Sequence, residues 1–278
     1  MAKLSRIMVN IVAVFIAAVG AAPFVLLALL AFSKNPTSLG DFTIDNFAFL
    51  VTGRLFAEER YSSIYPNIYT ATLNTLFLAL GVSAVVVLLS SMAGYILSRY
   101  SVPGRGLVLG LILALHGVPV IILLIGLYFL LKYIGLINNL LGIVMAKAVL
   151  DLPLGIWVMK GFYDNVPWDI EIASIVDGAG RLRTWLGIVM PLVRPGLAAL
   201  AVLEFISGWG EFLLVYTLIF SNTSWTLSMI IRGLIGEMGS INLNLIATLS
   251  LYYFVPVLIF FVFVQKYFLR IYFGGVKG

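Results

Sequence analysis

Residues Thr72–Leu97 read TLNTLFLALGVSAVVVLLSSMAGYIL, 26 positions without a charged side chain. A helix rises about 1.5 Å per residue, so roughly 20 apolar residues cross the hydrocarbon of a bilayer. The run is too continuous for the in-out alternation of a barrel strand, and an open sheet leaves its backbone unsatisfied in lipid. A membrane-spanning helix is the conformation that remains.

Five further runs share this character, near Ile7–Phe32, Leu107–Leu131, Leu140–Met159, Gly196–Phe220 and Leu245–Tyr267. They belong to a 278-residue chain that is 62% hydrophobic and 10% charged, with a mean hydropathy of +1.11. Ordinary globular chains carry about 45–50% apolar and about 25% charged residues, and no water-soluble packing hides such an excess. The expected fold is an all-α membrane protein with six transmembrane helices. It forms a single transmembrane domain over residues 1–278, bathed in membrane lipid.

The remaining totals exclude chemistry. With no cysteine there is no disulfide, thiolate metal site or cysteine nucleophile, and one histidine cannot build a zinc cluster, so no metal site is expected. The net charge of +5 is small, and no basic block interleaves with aromatics, so nucleic acid is set aside as a partner. No nucleophile–base pair supports an enzyme.

Loop charges orient the chain. Lys3 and Arg6 ahead of the first run suggest a secretory signal, but the run continues through Pro23 to Phe32, beyond the 7–15 residues typical of signal cores. It reads as a retained span. Lys3, Arg6, Arg99, Arg105, Lys160, Arg181, Arg183, Arg194, Lys266, Arg270 and Lys277 fall on one side. Lys34, Arg54, Arg60, Lys132 and Arg232 fall on the other, with Lys147 inside a span. The basic excess puts both termini in the cytoplasm of a multi-pass cell-membrane protein. On this reading Ser33–Tyr69 is external, while Gly161–Pro195 is a cytoplasmic loop far longer than helix connections require.

That loop reads as two short helices. Pro167 suits a first helical position, and Asp169 and Glu171 complement the positive end of the dipole. Trp168, Ile172, Ile175 and Val176 make one apolar stripe, and Gly178 and Gly180 break the helix. Leu182, Trp185, Leu186 and Val189 form a second pattern ending at Met190-Pro191. A stripe of this kind lies against the protein's own spans or the lipid interface, or docks in a partner's groove. Pattern alone leans to the first use.

The segment DIEIASIVDGA (Asp169–Ala179), with nine residues after Gly178 and then IVMP (Ile188–Pro191), resembles the signature loop of ABC importer permeases. That signature runs Glu-Ala-Ala, three residues, Gly, nine residues, Ile, one residue, Leu-Pro. Ala173, Gly178, Ile188 and Pro191 are in register. Ile172, Ser174 and Met190 depart from it, and Glu171 matches the first Glu of the Glu-Glu-Ala-Ala form. Asn74-Thr75-Leu76, Gly94-Tyr95 before Ser98-Arg99, Gly135–Asn139, Trp209–Phe212 and Gly274–Gly278 are similar to carbohydrate-uptake permeases, notably the shorter permease of maltose/trehalose-type systems.

The resemblance implies a permease subunit of an ATP-driven, binding-protein-dependent sugar or oligosaccharide importer. Trp168, Glu171, Ile172, Ala173, Ser174, Asp177, Gly178, Ala179 and Pro191 would be ATPase-coupling positions. Gly275, Val276 and Lys277 would contact the ATPase dimer. A second permease, two cytoplasmic ATPase subunits and an external sugar-binding protein would be its partners. The chain has no G-x-x-x-x-G-K-[ST] phosphate loop, so ATP and magnesium would be held by the ATPase and no cofactor by this chain.

Polar residues within spans are rare and face a bundle interior or a cavity. Glu204 and Glu211 stand seven residues apart, on one face of a continuous fifth helix. Glu211 is a candidate pathway residue or a structural hydrogen-bonding group; Glu204 is assigned the structural role. Asn74, Trp209 and Tyr216 are further pathway candidates, and Asp151 with Pro153 is expected to mark a kink. His116 is given no chemistry. Alternative readings keep the class with another cargo (polyamine, glycerol phosphate, amino acid), or make the chain a self-contained secondary transporter or channel.

Overall fold

The computed structural model describes residues 2–56, 64–236 and 242–274, and the apolar stretches within them are helical. The chain folds as two compact units, Met1–Ile68 with Ile230–Pro256, and Tyr69–Met229 with Val257–Gly278.

The first unit is organised around the end of α1 (Ala2–Phe32). The last carbonyls of any helix lack intrahelical donors, and in an apolar setting they must find others. Here Asn244 donates to Leu30 O at 3.2 Å, and Asn46 and Thr248 donate to Ala31 O at 2.9 and 3.3 Å. The Thr43 amide donates to Phe32 O at 2.7 Å. Asn46 belongs to the segment after a short antiparallel hairpin, β1 (Ser33–Asn35) and β2 (Ser38–Phe42), which leads to α2 (Phe49–Thr52). Asn244 and Thr248 lie near the start of α12 (Leu243–Gly274), and Phe24 stacks on Phe254 with centroids 4.9 Å apart. From Met8 to Leu26 the apolar side chains of α1 are exposed, a surface suited to lipid or another chain.

The second unit is built on α6 (Leu140–Asp164), which packs against α4 (Arg105–His116), α5 (Val120–Tyr133), α9 (Arg194–Trp209) and α10 (Leu213–Leu218). Leu78, Val82 and Val86 of α3 (Ile68–Arg99) join Ile143 and Val144 of α6 and Leu214, Val215 and Leu218 of α10 in one buried cluster. Gly94 permits a close approach of α3 to α6. A Cβ there would sit 2.8 Å from the Lys160 backbone nitrogen, a contact no side chain could relieve by turning away. α6 runs unbroken through Pro153.

Two expected spans are not continuous helices. The third is cut at Gly117–Pro119 into α4 and α5, whose axes meet at 97°. Pro119 lacks an amide hydrogen and takes ψ 126°, outside the helical range, so the hydrogen-bond ladder cannot continue. His116 ends α4 with its Nδ1 3.3 Å from Leu150 O. The fifth ends at Trp209 rather than Phe220. It resumes as the short α10 after Gly210–Phe212, and then as an irregular segment leading to α11 (Leu227–Gly236). Among the described residues four helices are individually long and apolar enough to cross a membrane, and up to six spans result if two bent pairs, Arg105–His116 with Val120–Tyr133 and Arg181–Leu192 with Arg194–Trp209, each count as one.

Candidate functional site

Between α6 and α9 lie α7 (Trp168–Val176) and α8 (Arg181–Leu192), joined at Gly178. α7 is inverted relative to a water-facing amphipathic helix. Trp168, Ile172, Ile175 and Val176 are 49, 51, 48 and 79% exposed, whereas Glu171 and Ser174 are buried. Positions i and i+3 share a helix face, so the polar pair turns inward together.

Partners waiting on that side account for the inversion. The Glu171 carboxylate forms an ion pair with the Arg99 guanidinium, both side chains 3% exposed. Tyr95 Oη donates to the other Glu171 oxygen at 3.1 Å, and Arg99 Nη2 donates to Val166 O at 2.8 Å. The guanidinium also lies over the Trp168 ring, 5.0 Å from its centroid. Ser174 Oγ and Thr184 Oγ1 share a buried hydrogen bond of 2.9 Å, tying α7 to α8. Beneath them Tyr163 Oη meets Ser91 Oγ at 2.7 Å and accepts from Trp185 Nε1 at 3.1 Å, while Tyr95 stacks on Trp185. The ends of α3 and α6 therefore hold α7 by its polar side and leave its apolar side bare.

α7 ends in a Schellman turn: the Gly178 amide donates to Ile175 O and the Ala179 amide to Ser174 O, both at 3.0 Å. Gly178 has φ +86°, and a Cβ placed there would meet nothing within 4 Å. Substitution is therefore opposed by backbone conformation alone. Gly178→Val is expected to lower the population of this turn about tenfold and Gly178→Asn by no more than about threefold, since asparagine tolerates left-handed backbone. Hydrogen exchange at the Ala179 amide measures this, because the turn protects it.

A second polar constellation surrounds the break in the fifth span. Lys147 Nζ lies 3.1 Å from Asp151 and 3.5 Å from Glu211, with all three side chains largely buried. Asp151 also accepts from Ser207 at 3.0 Å. Glu211 Oε1 accepts from the Leu214 amide at 2.9 Å, capping α10, and Ser228 donates to Glu211 O at 2.7 Å. The expectation that Glu204 and Glu211 share a face of one helix is thus corrected. Glu204 lies buried in α9, and Glu211 stands beyond that helix's end.

The segment after α10 is held by side chains from elsewhere in the unit. Asn138, at φ +56°, accepts at Oδ1 from the amides of Phe220 and Ser221 at 2.8 and 3.0 Å. Asn74 donates to Thr223 O at 2.8 Å and Trp225 O at 2.9 Å, and Thr75 accepts from the Leu227 amide at 2.9 Å. Asn74, Thr75 and Asn138 therefore pin the irregular segment between α10 and α11, which a reading of linear pattern does not reveal.

The expected site residues divide as follows. In and after α7, Trp168, Ile172, Ala173, Asp177 and Gly178 are exposed, Glu171 and Ser174 face inward, and Ala179 and Pro191 are half-buried. Of the pathway candidates, Trp209 is 1% exposed against Phe205, whereas Tyr216 is 60% exposed. The Asn74 amide nitrogen and the Glu211 carboxylate are engaged in the contacts above. Gly275, Val276 and Lys277 lie outside the described residues. Sequence reasoning assigned no site role to Arg99, Tyr95, Tyr163, Thr184, Trp185 and Lys147. The one local signal was a glutamate three residues before a serine on an otherwise apolar turn.

Apolar helices long enough to cross a bilayer, with two of the expected spans broken, describe a multi-pass membrane protein. Residues 86–271 match the family described as binding-protein-dependent transport system inner membrane component, and the chain belongs to that family. It is 31% identical over 240 residues to the maltodextrin transport system permease protein MdxG of Bacillus subtilis, covering 86% of this chain and 82% of that protein. It is 26% identical over 282 residues to the trehalose/maltose transport system permease protein MalG of Thermococcus litoralis, covering 99 and 98%. The fold is similar to that of a chain in the crystal structure of a bacterial ABC transporter involved in import of the acidic polysaccharide alginate. The TM-score is 0.79 at 17% identity, over 96% of this chain and 97% of that one.

Proposed function

We propose that this chain is one of two membrane subunits of an ATP-driven importer, forming half of the path by which a sugar or oligosaccharide enters the cell. The permeases named for maltodextrin and trehalose/maltose transport support the cargo class. The family's description supports an external solute-binding partner. The basic excess in the loops supports cytoplasmic termini and a cytoplasmic α7–α8 loop.

One observation carries the rest. α7 presents Trp168, Ile172, Ile175 and Val176 outward while a buried ion pair anchors its other side. An exposed apolar helix face on a rigid mount is the form that docks in a partner's groove. The partner we assign is the cytoplasmic ATPase, which would hold ATP and magnesium itself, and the Gly275–Lys277 tail is assigned to the same ATPase dimer. Closure of that ATPase would push on α7. Arg99 and the Tyr95–Tyr163–Trp185 cluster would pass the displacement to α3 and α6 as a rigid-body tilt.

The test separates docking from folding. Ile172→Asp places a charge on the exposed face without touching the anchor, and uptake is expected to fall at least about tenfold at an unchanged level of inserted protein. Normal uptake by that variant, or cysteine cross-links from Ala173 that capture no nucleotide-hydrolysing subunit, would overturn the assignment.

A further inference from the structure

α8 contains a π-helical turn, Trp185–Val189, an arrangement that often marks functional positions in helices. The turn places Trp185 between two adjoining cavities. One, of about 400 Å³, lies beside Tyr100 and Arg181; the other, of about 330 Å³, runs between α3 and α9. Val87, Leu88, Met190 and Leu197 line the second cavity. Its hydroxyl-bearing residues are already served, for Ser83 donates to Ala201 O at 2.9 Å and Ser91 meets Tyr163 Oη at 2.7 Å. An occupant of this lobe therefore finds only hydrocarbon.

The other lobe differs in charge. Arg181 is exposed, donates to Tyr100 Oη at 3.1 Å and lies 5.3 Å from that ring's centroid. These contacts fix the guanidinium but use one of its five donors. Among the described residues neither Arg181 nor its neighbour Arg183 has a carboxylate within ion-pair distance. Arg181 and Trp185 are one turn apart on the same helix, and tryptophan and tyrosine favour the headgroup level of a bilayer.

We propose that this groove is a binding site for an anionic phospholipid, with one acyl chain between α3 and α9 and the phosphate on Arg181. Charge complementarity selects this occupant: basic pockets between membrane helices take anionic headgroups, and an apolar slot continues from the cation. The bound lipid would rest against the same Trp185 that stacks on Tyr95, so membrane composition would act on the mount of α7.

The experiment uses the intact assembly purified through this chain, exchanged with equal amounts of phosphatidylglycerol and phosphatidylcholine. Retained lipid is counted by native mass spectrometry. The wild type is expected to prefer phosphatidylglycerol about fivefold, and Arg181→Gln to reduce that ratio to about one. Leu197→Trp, which fills the apolar lobe and leaves the cation in place, is expected to lower retention of both lipids. A photoreactive side chain at Leu88 is expected to yield a lipid adduct. Equal preference in the wild type and Arg181→Gln overturns the proposal. So does undiminished retention in Leu197→Trp, or a Leu88 adduct with another subunit's helix.

Discussion

Glu171→Ala is expected to destabilise the protein by about 3–5 kcal/mol, the usual consequence of leaving one member of a buried ion pair without its partner. The Arg99 side chain is 3% exposed, so its charge is held largely out of water beside the truncated position. The Val166 carbonyl and the Trp168 ring remain as contacts, but neither neutralises its charge. Folded protein surviving a heating series after extraction from membranes measures the loss. An apolar replacement of both partners, Arg99→Met with Glu171→Leu, should recover most of it, because removing two buried charges together costs far less than removing one. If the double variant proved no more stable than Glu171→Ala, the pair would not be what holds α7 in place. Transport by the recovered double variant would show whether the mount needs a charge or only a filled space.

Lys147→Met should have an effect of comparable size, about 3–5 kcal/mol, because Asp151 and Glu211 then lose the cation between them. The fraction of inserted chain that stays folded in detergent is the readout. Lys147→Arg keeps the charge and should retain most of the stability. Glu211→Gln provides the contrast, for it removes a charge while keeping an oxygen to accept from the Leu214 amide. Its expected cost is about 1–2 kcal/mol, that of a charged hydrogen bond exchanged for a neutral one. Should Glu211→Gln prove as damaging as Lys147→Met, the ion pair rather than the cap would position α10. Should it assemble normally yet alter uptake, the carboxylate would belong to the pathway.

These residues show where linear pattern succeeds and where it stops. The third apolar run contains Gly117 and Pro119, and the break falls there because proline removes a donor from the ladder. The fifth run holds no comparable signal. Gly210 is an ordinary helix end. Lys147 reaches the break at Glu211, while Asn74 and Asn138 hold the irregular segment that follows α10, all from other parts of the chain. The stripe on α7 was legible as a stripe, and pattern leaned toward its lying against the protein's own spans or the lipid interface, without saying which way it faces. That direction was set by Arg99, 72 residues away in sequence.

What the sequence determined alone was everything that local free energy decides. Hydropathy and length dictate helices in a membrane, and a glycine after a nine-residue helix dictates the left-handed turn at Gly178. What only tertiary structure decided was which polar group meets which, and therefore which face of each helix is left outward. A buried charge must find its counter-charge wherever the fold brings one, and neither period nor composition carries that address.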